Sequence, residues 1–389
     1  MMMRGAAWGL VVVAGLASGQ LPASGTLSAE DQPLFNGEIV RVEQLLDTAP
    51  DKAAVTYQLA RTWAFAQQWP EAMEWLRKVV ALKAGVDPSR DAVFAALRGT
   101  REFGDVMVAV REATPAVSHS AVAFRMGEGD LVPESMAYDP RGKRFYFGSM
   151  KKGKVVRCSG AGECSDFATG LGVVLGLKVH GDGLWLVNNS AAESALMHYE
   201  LASGRMVRAY RVAGAGHNFN DLTFSDRGDV YLTDTQAGAV WHLAAGAEQL
   251  EKLPGRFPFA NGIALSADAA LLYVSVYPDG LLVADLKSGD VRAMARPSEL
   301  YLANIDGLYF YRGGLIAIQN GFISPRVVRL RLTPDRRGIS GLEVRERRNP
   351  LFDGVTTGVI AGNAFFYMAN IQDEKTSGFA PIAILKMGL

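Results

Sequence analysis

From about Ser120 to the C-terminus the chain consists of short apolar or alternating runs separated by turns rich in Gly, Asp and Arg. One unit repeats. A polar or small residue opens an alternating run in Glu134-Ser-Met-Ala-Tyr138, Leu175-Gly-Leu-Lys-Val179, Asn220-Asp-Leu-Thr-Phe224, Asn261-Gly-Ile-Ala-Leu265, Asp306-Gly-Leu-Tyr-Phe310 and Thr357-Gly-Val-Ile-Ala361. A turn such as Asp139-Pro-Arg-Gly142, Asp226-Arg-Gly228 or Tyr311-Arg-Gly313 follows, and then a second hydrophobic run such as Phe145-Tyr-Phe147, Leu271-Leu-Tyr-Val274 or Leu315-Ile-Ala-Ile318. Strand, tight turn, strand is the hairpin signal. Third and fourth strands are readable in most units, for example Ala239–Leu243 with 249–253. Six registers separated by roughly 40–50 residues have the period of a propeller blade. Six four-stranded units predict an all-β, six-bladed β-propeller over residues 119–389. The last unit has three clear strands and no fourth, so Ser120–Met126 is expected to complete it and close the ring. Closure removes exposed sheet edges.

Between residues 28 and 114 the period changes to a helical one, with Val40, Val42, Leu45 and Leu46 and then Leu59, Trp63, Ala72, Leu76 and Val79 on recurring faces. Leu59-Ala60, Trp63, Ala72 and Leu76 resemble a single degenerate tetratricopeptide repeat, and Pro70-Glu71 suits a helix's first turn. Further helices are expected at 90–97 and 102–112. One repeat is too short for a peptide-binding solenoid. Packing against the propeller is one role for this small α-helical domain, and docking a protein partner is the other.

The repeat register has a chemical consequence, because the innermost strand of each blade lines the central channel. Equivalent positions then form a ring: Glu134, Leu175, Asn220, Asn261, Asp306 and Thr357. Four of these carry carboxylate or amide oxygens. Calcium takes six to eight oxygen ligands in irregular geometry. Glu134 and Asp306 would balance two charges, Asn220 and Asn261 would add neutral carbonyls, and positions would remain for water and a substrate oxygen. The competing reading is that Asn and Asp open strands because they bond their own backbone in turns. Four at one register point instead to one divalent cation, calcium first and zinc or manganese as alternatives, since carboxylates gathered without a counter-ion are costly to bury.

Residues 1–19 read as a cleaved secretory signal: Met1 to Arg4 is short and basic, residues 6–16 are apolar, and Ala17-Ser18-Gly19 is small. A membrane anchor is the alternative, but the apolar run is shorter than the ~20 residues that span a bilayer. The mature chain is expected to be periplasmic or secreted and not membrane-bound. Formal net charge is +0, with no long charged run, which gives no electrostatic footprint for nucleic acid. In an exported protein Cys158 and Cys164, flanking Ser-Gly-Ala-Gly-Glu, read as a disulfide closing a hairpin.

The propeller half resembles the regucalcin/gluconolactonase (SMP-30-like) family, and more distantly paraoxonase-like and strictosidine-synthase-like propellers. Phe259-Ala-Asn-Gly-Ile263 with Ser266 is similar to the family's Asn-Gly motif, Phe219-Asn220-Asp221 to its Asn-Asp motif, Ile305-Asp306-Gly307 to its Asp-Gly motif, and Pro133-Glu134 to its first-blade glutamate. The resemblance implies a catalytic divalent cation held by Glu134, Asn261 and Asp306, with Asn220 as ligand or substrate contact and Asp306 sharing ligand and base roles. It departs at Ser135-Met136, where the family pattern has Gly-Pro. It departs again at Asn218, which stands where an Arg contacts a sugar acid, so a sugar-lactone specificity does not carry over. His217 is a second candidate base, three residues before Asn220, unless it is a solvated loop residue. Two functions follow. One is an exported metal-dependent hydrolase of a small lactone or ester. The other is a non-catalytic, metal-stabilised propeller scaffold with a partner-docking helical domain.

Overall fold

The computed structural model describes residues 32–48, 51–276, 280–371 and 379–389. The expected signal at 1–19 lies outside them. Two compact units result, divided after Pro115, and the stretches Pro297–Tyr301 and Phe322–Ser324 belong to the first of them. No helix among the described residues is long and apolar enough to cross a membrane.

The second unit is a six-bladed propeller of four-stranded sheets whose strand pairs are all antiparallel. Blades one to five each use four consecutive strands, beginning at Pro133–Asp139, Val173–His180, Phe219–Phe224, Ile263–Leu265 and Ile305–Tyr311. Blade six takes Gly358–Ala361, Ala364–Met368 and Ile382–Gly388, and its outermost strand is the N-terminal Ser120–Met126. Ser120 pairs with Met387 and Met126 with Ile382, so the ring closes as the missing fourth strand required.

Second strands such as Leu271–Val276 and Gly314–Gln319 are buried at every residue because sheets cover both of their faces. Hence they are written as continuous apolar runs rather than as alternation. The core consists of layers between neighbouring blades. Phe124, Phe145, Phe147 and Ile384 fill the layer between blades six and one, and Tyr309, Ile318, Phe365 and Leu385 that between five and six. Fourth strands vary most in length, from two residues in blade three to nine in blade five. In blade three only Glu251–Lys252 forms where 249–253 was expected, because an outer strand packs on one side alone.

The first unit contains α1 (Gln32–Thr48), α2 (Lys52–Phe65), α3 (Trp69–Ala81) and α4 (Arg101–Ala113). Asp51 caps α2 by accepting from the Ala54 amide, and Thr100 caps α4 by accepting from Phe103. Leu59, Ala60, Ala72 and Leu76 are fully buried, as the helical period predicts, whereas Val40 and Leu45 face outward. The helix expected at 90–97 is a pair of 3₁₀ turns, Pro88–Arg90 and Ala92–Leu97, each opened by an aspartate that accepts a backbone N–H. One of these aspartates, Asp91, also anchors a buried polar cluster. Its Oδ2 accepts from Arg61 Nε and from Tyr57 Oη, both at 2.8 Å, and the Arg61 guanidinium lies 4.1 Å from the Phe322 ring centroid.

Arg61 and Asp91 are almost completely buried, so deleting Asp91 removes a carboxylate partner of a buried guanidinium and the acceptor of the Tyr57 hydroxyl. We expect Asp91→Ala to destabilise the chain by about 3–5 kcal/mol in urea denaturation.

Candidate metal centre

All six positions of the sequence-derived ring line one cavity of about 250 Å³: Glu134, Leu175, Asn220, Asn261, Asp306 and Thr357. The remaining wall comes from Met150, Asp221, Gly307 and Thr356. Each ring residue sits at or just before the start of an innermost strand. In blades one, two, three and five the pairing register breaks there, between Pro133 and Ser135, Val174 and Leu177, Phe219 and Leu222, and Ile305 and Leu308. Such bulges free one or two residues from the ladder and re-aim their side chains. This explains how residues on six separate sheets meet at one place.

The glycine that follows Leu175, Asn261 and Asp306 has a steric cause. A Cβ on Gly262 would lie 2.3 Å from the Asp306 carbonyl oxygen, one on Gly176 would lie 2.4 Å from that of Asn220, and one on Gly307 2.7 Å from Tyr309 Oη. At these three positions the inner strands converge so tightly that a side chain would collide with its surroundings. Blade three has Asp221 at this position. Its carboxylate is held by the Leu222 amide at 2.8 Å and by Lys178 Nζ at 3.2 Å.

Burial, followed by the neighbouring charge of Asp306, pushes the Glu134 carboxyl up to about 8. Burial likewise pushes Asp306 up to about 6, against the opposing hydrogen bonds from Asn320 and Asn261. No arginine or lysine is among the groups acting on either carboxyl. Asn320 Nδ2 donates to Asp306 Oδ2 at 2.7 Å and also to the Val355 carbonyl at 2.9 Å, which fixes the Asp306 rotamer. Asn320 stands one residue after a second strand, a position that the sequence places beside the channel without showing which way the side chain points. Asn220 Nδ2 donates to Thr235 Oγ1 at 3.1 Å, which leaves its carbonyl oxygen as the group to face the cavity.

Among the described residues no group of three or more His, Cys, Asp and Glu side chains gathers as a metal site. The ring is instead a mixed set of two carboxylates and two amides. All its donors are oxygens, no arginine or lysine among the described residues acts on its two carboxyls, and its walls are only partly buried. That donor chemistry suits a hard divalent cation.

His217 and Asn218 are not among the residues lining this cavity. The His217 ring is bonded through Nδ1 to the fully buried Asp234 at 2.6 Å, and Asp234 also accepts from the Asn218 amide and Trp241 Nε1. Cys158 and Cys164 are joined by a disulfide across the last hairpin of blade one.

The fold and the ring together define a six-bladed propeller with an oxygen-lined axial site. Residues 132–307, a stretch that contains all four candidate ligands, match the family described as the SMP-30/gluconolactonase/LRE-like region. Solved structures share the architecture at low identity. A luciferin-regenerating enzyme is 12% identical, with 68% of this chain and 95% of that one covered and a TM-score of 0.51. The PQQ-bound aldose sugar dehydrogenase of Streptomyces coelicolor is 14% identical, with 70% and 99% covered and a TM-score of 0.51. A gluconolactonase of Xanthomonas campestris is 16% identical, with 70% and 95% covered and a TM-score of 0.50. No curated protein sequence matches the chain. These likenesses establish the fold and leave the chemistry to the site.

Two outcomes are expected. Gly262→Ala should lower stability by at least about 1–3 kcal/mol in urea denaturation, because the Asp306 carbonyl must move away from the new methyl. Cation affinity should rise with pH, because binding requires carboxylates that burial keeps protonated. Calcium titration should show at least a tenfold weaker apparent affinity at pH 6 than at pH 8, the window set by the raised values of Asp306 and Glu134.

Proposed function

We propose that this protein is an exported, divalent-cation-dependent hydrolase of a lactone or ester, with calcium as the first choice of cation. The observation that carries the reading is the convergence of Glu134, Asn220, Asn261 and Asp306 on one cavity with no cationic side chain acting on its two carboxyls. The family match over residues 132–307 supports it. The signal-like residues 1–19 and the Cys158–Cys164 disulfide suit an oxidising compartment outside the cytoplasm.

Glu134, Asn261 and Asp306 would hold the cation, with Asn220 either completing the set or orienting the substrate. Bound there, a divalent cation supplies Lewis-acid polarisation of a carbonyl and stabilisation of the oxyanion formed when water attacks. The protein supplies the rest. Asp306 would accept the proton of the attacking water at a carboxylate oxygen. Asn320 keeps that carboxylate from rotating away during the transfer. Leu175 and Met150 form the apolar part of the wall and exclude water from one side of the cavity. His217 is assigned no catalytic step, because it points to Asp234 and does not line the cavity.

A panel of chromogenic esters and lactones, with and without chelator, tests this. We expect chelator-sensitive turnover, and loss of both bound metal and about 10²–10⁴-fold of the rate in Asp306→Ala. An Asp306→Ala protein with full activity defeats the mechanism. A melting temperature that falls with chelator, in a protein without turnover on the panel, supports the non-catalytic scaffold instead.

A further inference from the structure

Three non-glycine residues adopt left-handed backbone two positions ahead of a candidate ligand. They are Val132 (φ 46°) before Glu134, Phe259 (φ 49°) before Asn261 and Asn304 (φ 57°) before Asp306. Elsewhere in the propeller, Lys143, Ala269 and Arg312 share this geometry in the tight turns between first and second strands, where it is ordinary. A β-branched residue such as Val132 outside a hairpin turn is a true outlier, and such conformations persist only where their surroundings enforce them.

In blades one and five the enforcing contacts are the same. Ser149 and Gln319 are each the last residue of a second strand, and each is completely buried. Ser149 Oγ donates to the Leu131 carbonyl at 2.6 Å, and Gln319 Nε2 donates to the Ala303 carbonyl at 2.9 Å. Leu131 and Ala303 immediately precede the left-handed residues. The amides of Met150 and Asn320, one position further along, donate to the carbonyls of Val132 and Asn304, both at 3.2 Å. The left-handed peptide is therefore gripped from both sides. Arg326 Nε, donating to Gln319 Oε1 at 2.8 Å, orients the clamp in blade five.

Blade three provides a contrast within the same molecule. Its second strand ends in Asp234, which as a carboxylate accepts hydrogen bonds and has no donor for a carbonyl. It takes the Asn218 amide at 3.0 Å instead, and Asn218, two residues before Asn220, is not left-handed. The left-handed approach occurs in three blades: in the two that supply the carboxylates a donor side chain ends the second strand, and in blade four, whose second strand ends in Val276, Phe259 is left-handed as well.

We propose that Ser149 and Gln319 are positioning residues. By holding the carbonyls of Leu131 and Ala303 they keep Val132 and Asn304 left-handed, which aims Glu134 and Asp306 at a common cation. The proposal rests on the cation reading above, and its test separates the two. Calcium binding is measured by titration calorimetry on the full chain stripped with chelator, for Ser149→Ala, Val132→Gly and the double variant. Glycine adopts a positive φ without a clamp.

We expect Ser149→Ala to weaken calcium binding about 10- to 100-fold, the range for groups that orient metal ligands, Val132→Gly to stay close to wild type, and the double variant to recover most of the loss. Gln319→Leu with Asn304→Gly repeats the cycle in blade five, and serves if the first pair fails to fold. Unchanged affinity in a folded Ser149→Ala or Gln319→Leu protein, or a double variant that binds no tighter than the clamp variant, overturns the proposal. If the wild-type chain binds no calcium, the cation reading fails on its own. The same cycles are then read as melting temperatures in chelator. Recovery of the lost melting temperature by the glycine substitution supports the clamp, and strictly additive shifts overturn it.

Discussion

Six sheets that converge on one axis bring the first residues of their innermost strands into backbone contact, and that crowding governs the rest of the molecule. It fixes glycine at positions 176, 262 and 307, where a single methyl would meet a carbonyl oxygen or the Tyr309 hydroxyl. It breaks the strand register at the same place in four blades and so turns ring side chains into a shared cavity. The bulge, the glycine and the inward side chain are therefore three expressions of one packing constraint.

Bringing these residues together has an electrostatic cost. Glu134 and Asp306 lose water and each lies near another carboxylate, Asp306 for Glu134 and Asp221 for Asp306, so both hold their protons more tightly than a free carboxyl does. Two other carboxylates have a cationic partner: Asp91 has Arg61, with Tyr57, and Asp221 has Lys178. Among the described residues no such cation acts on the two ring carboxyls, and a polar site with strongly shifted acidity marks candidate function.

The blades are alike in topology and unlike in the residue that ends the second strand. Serine and glutamine there donate to a carbonyl, while aspartate accepts from an amide and an imidazole. In these three blades the side chain that ends the second strand bonds the segment that leads to the ring residue. The His217–Asp234 pair follows from this choice, which accounts for a histidine close in sequence to the ring and yet outside its cavity.

Much of this was determined by the sequence. A repeat of hairpins with the same opening residue specifies the six blades, because strand alternation and turn chemistry are local properties. The missing fourth strand of the last unit required closure by Ser120–Met126, since an open edge is unfavourable. The ring of Glu134, Asn220, Asn261 and Asp306 was legible because register converts directly into position around an axis. Only the tertiary structure decided what depends on contacts between blades: that Asn320 steadies Asp306, that His217 turns to Asp234, and that Val132 and Asn304 are held left-handed. Those contacts join residues far apart in the chain whose own neighbours carry no trace of the partner, so no local pattern could encode them.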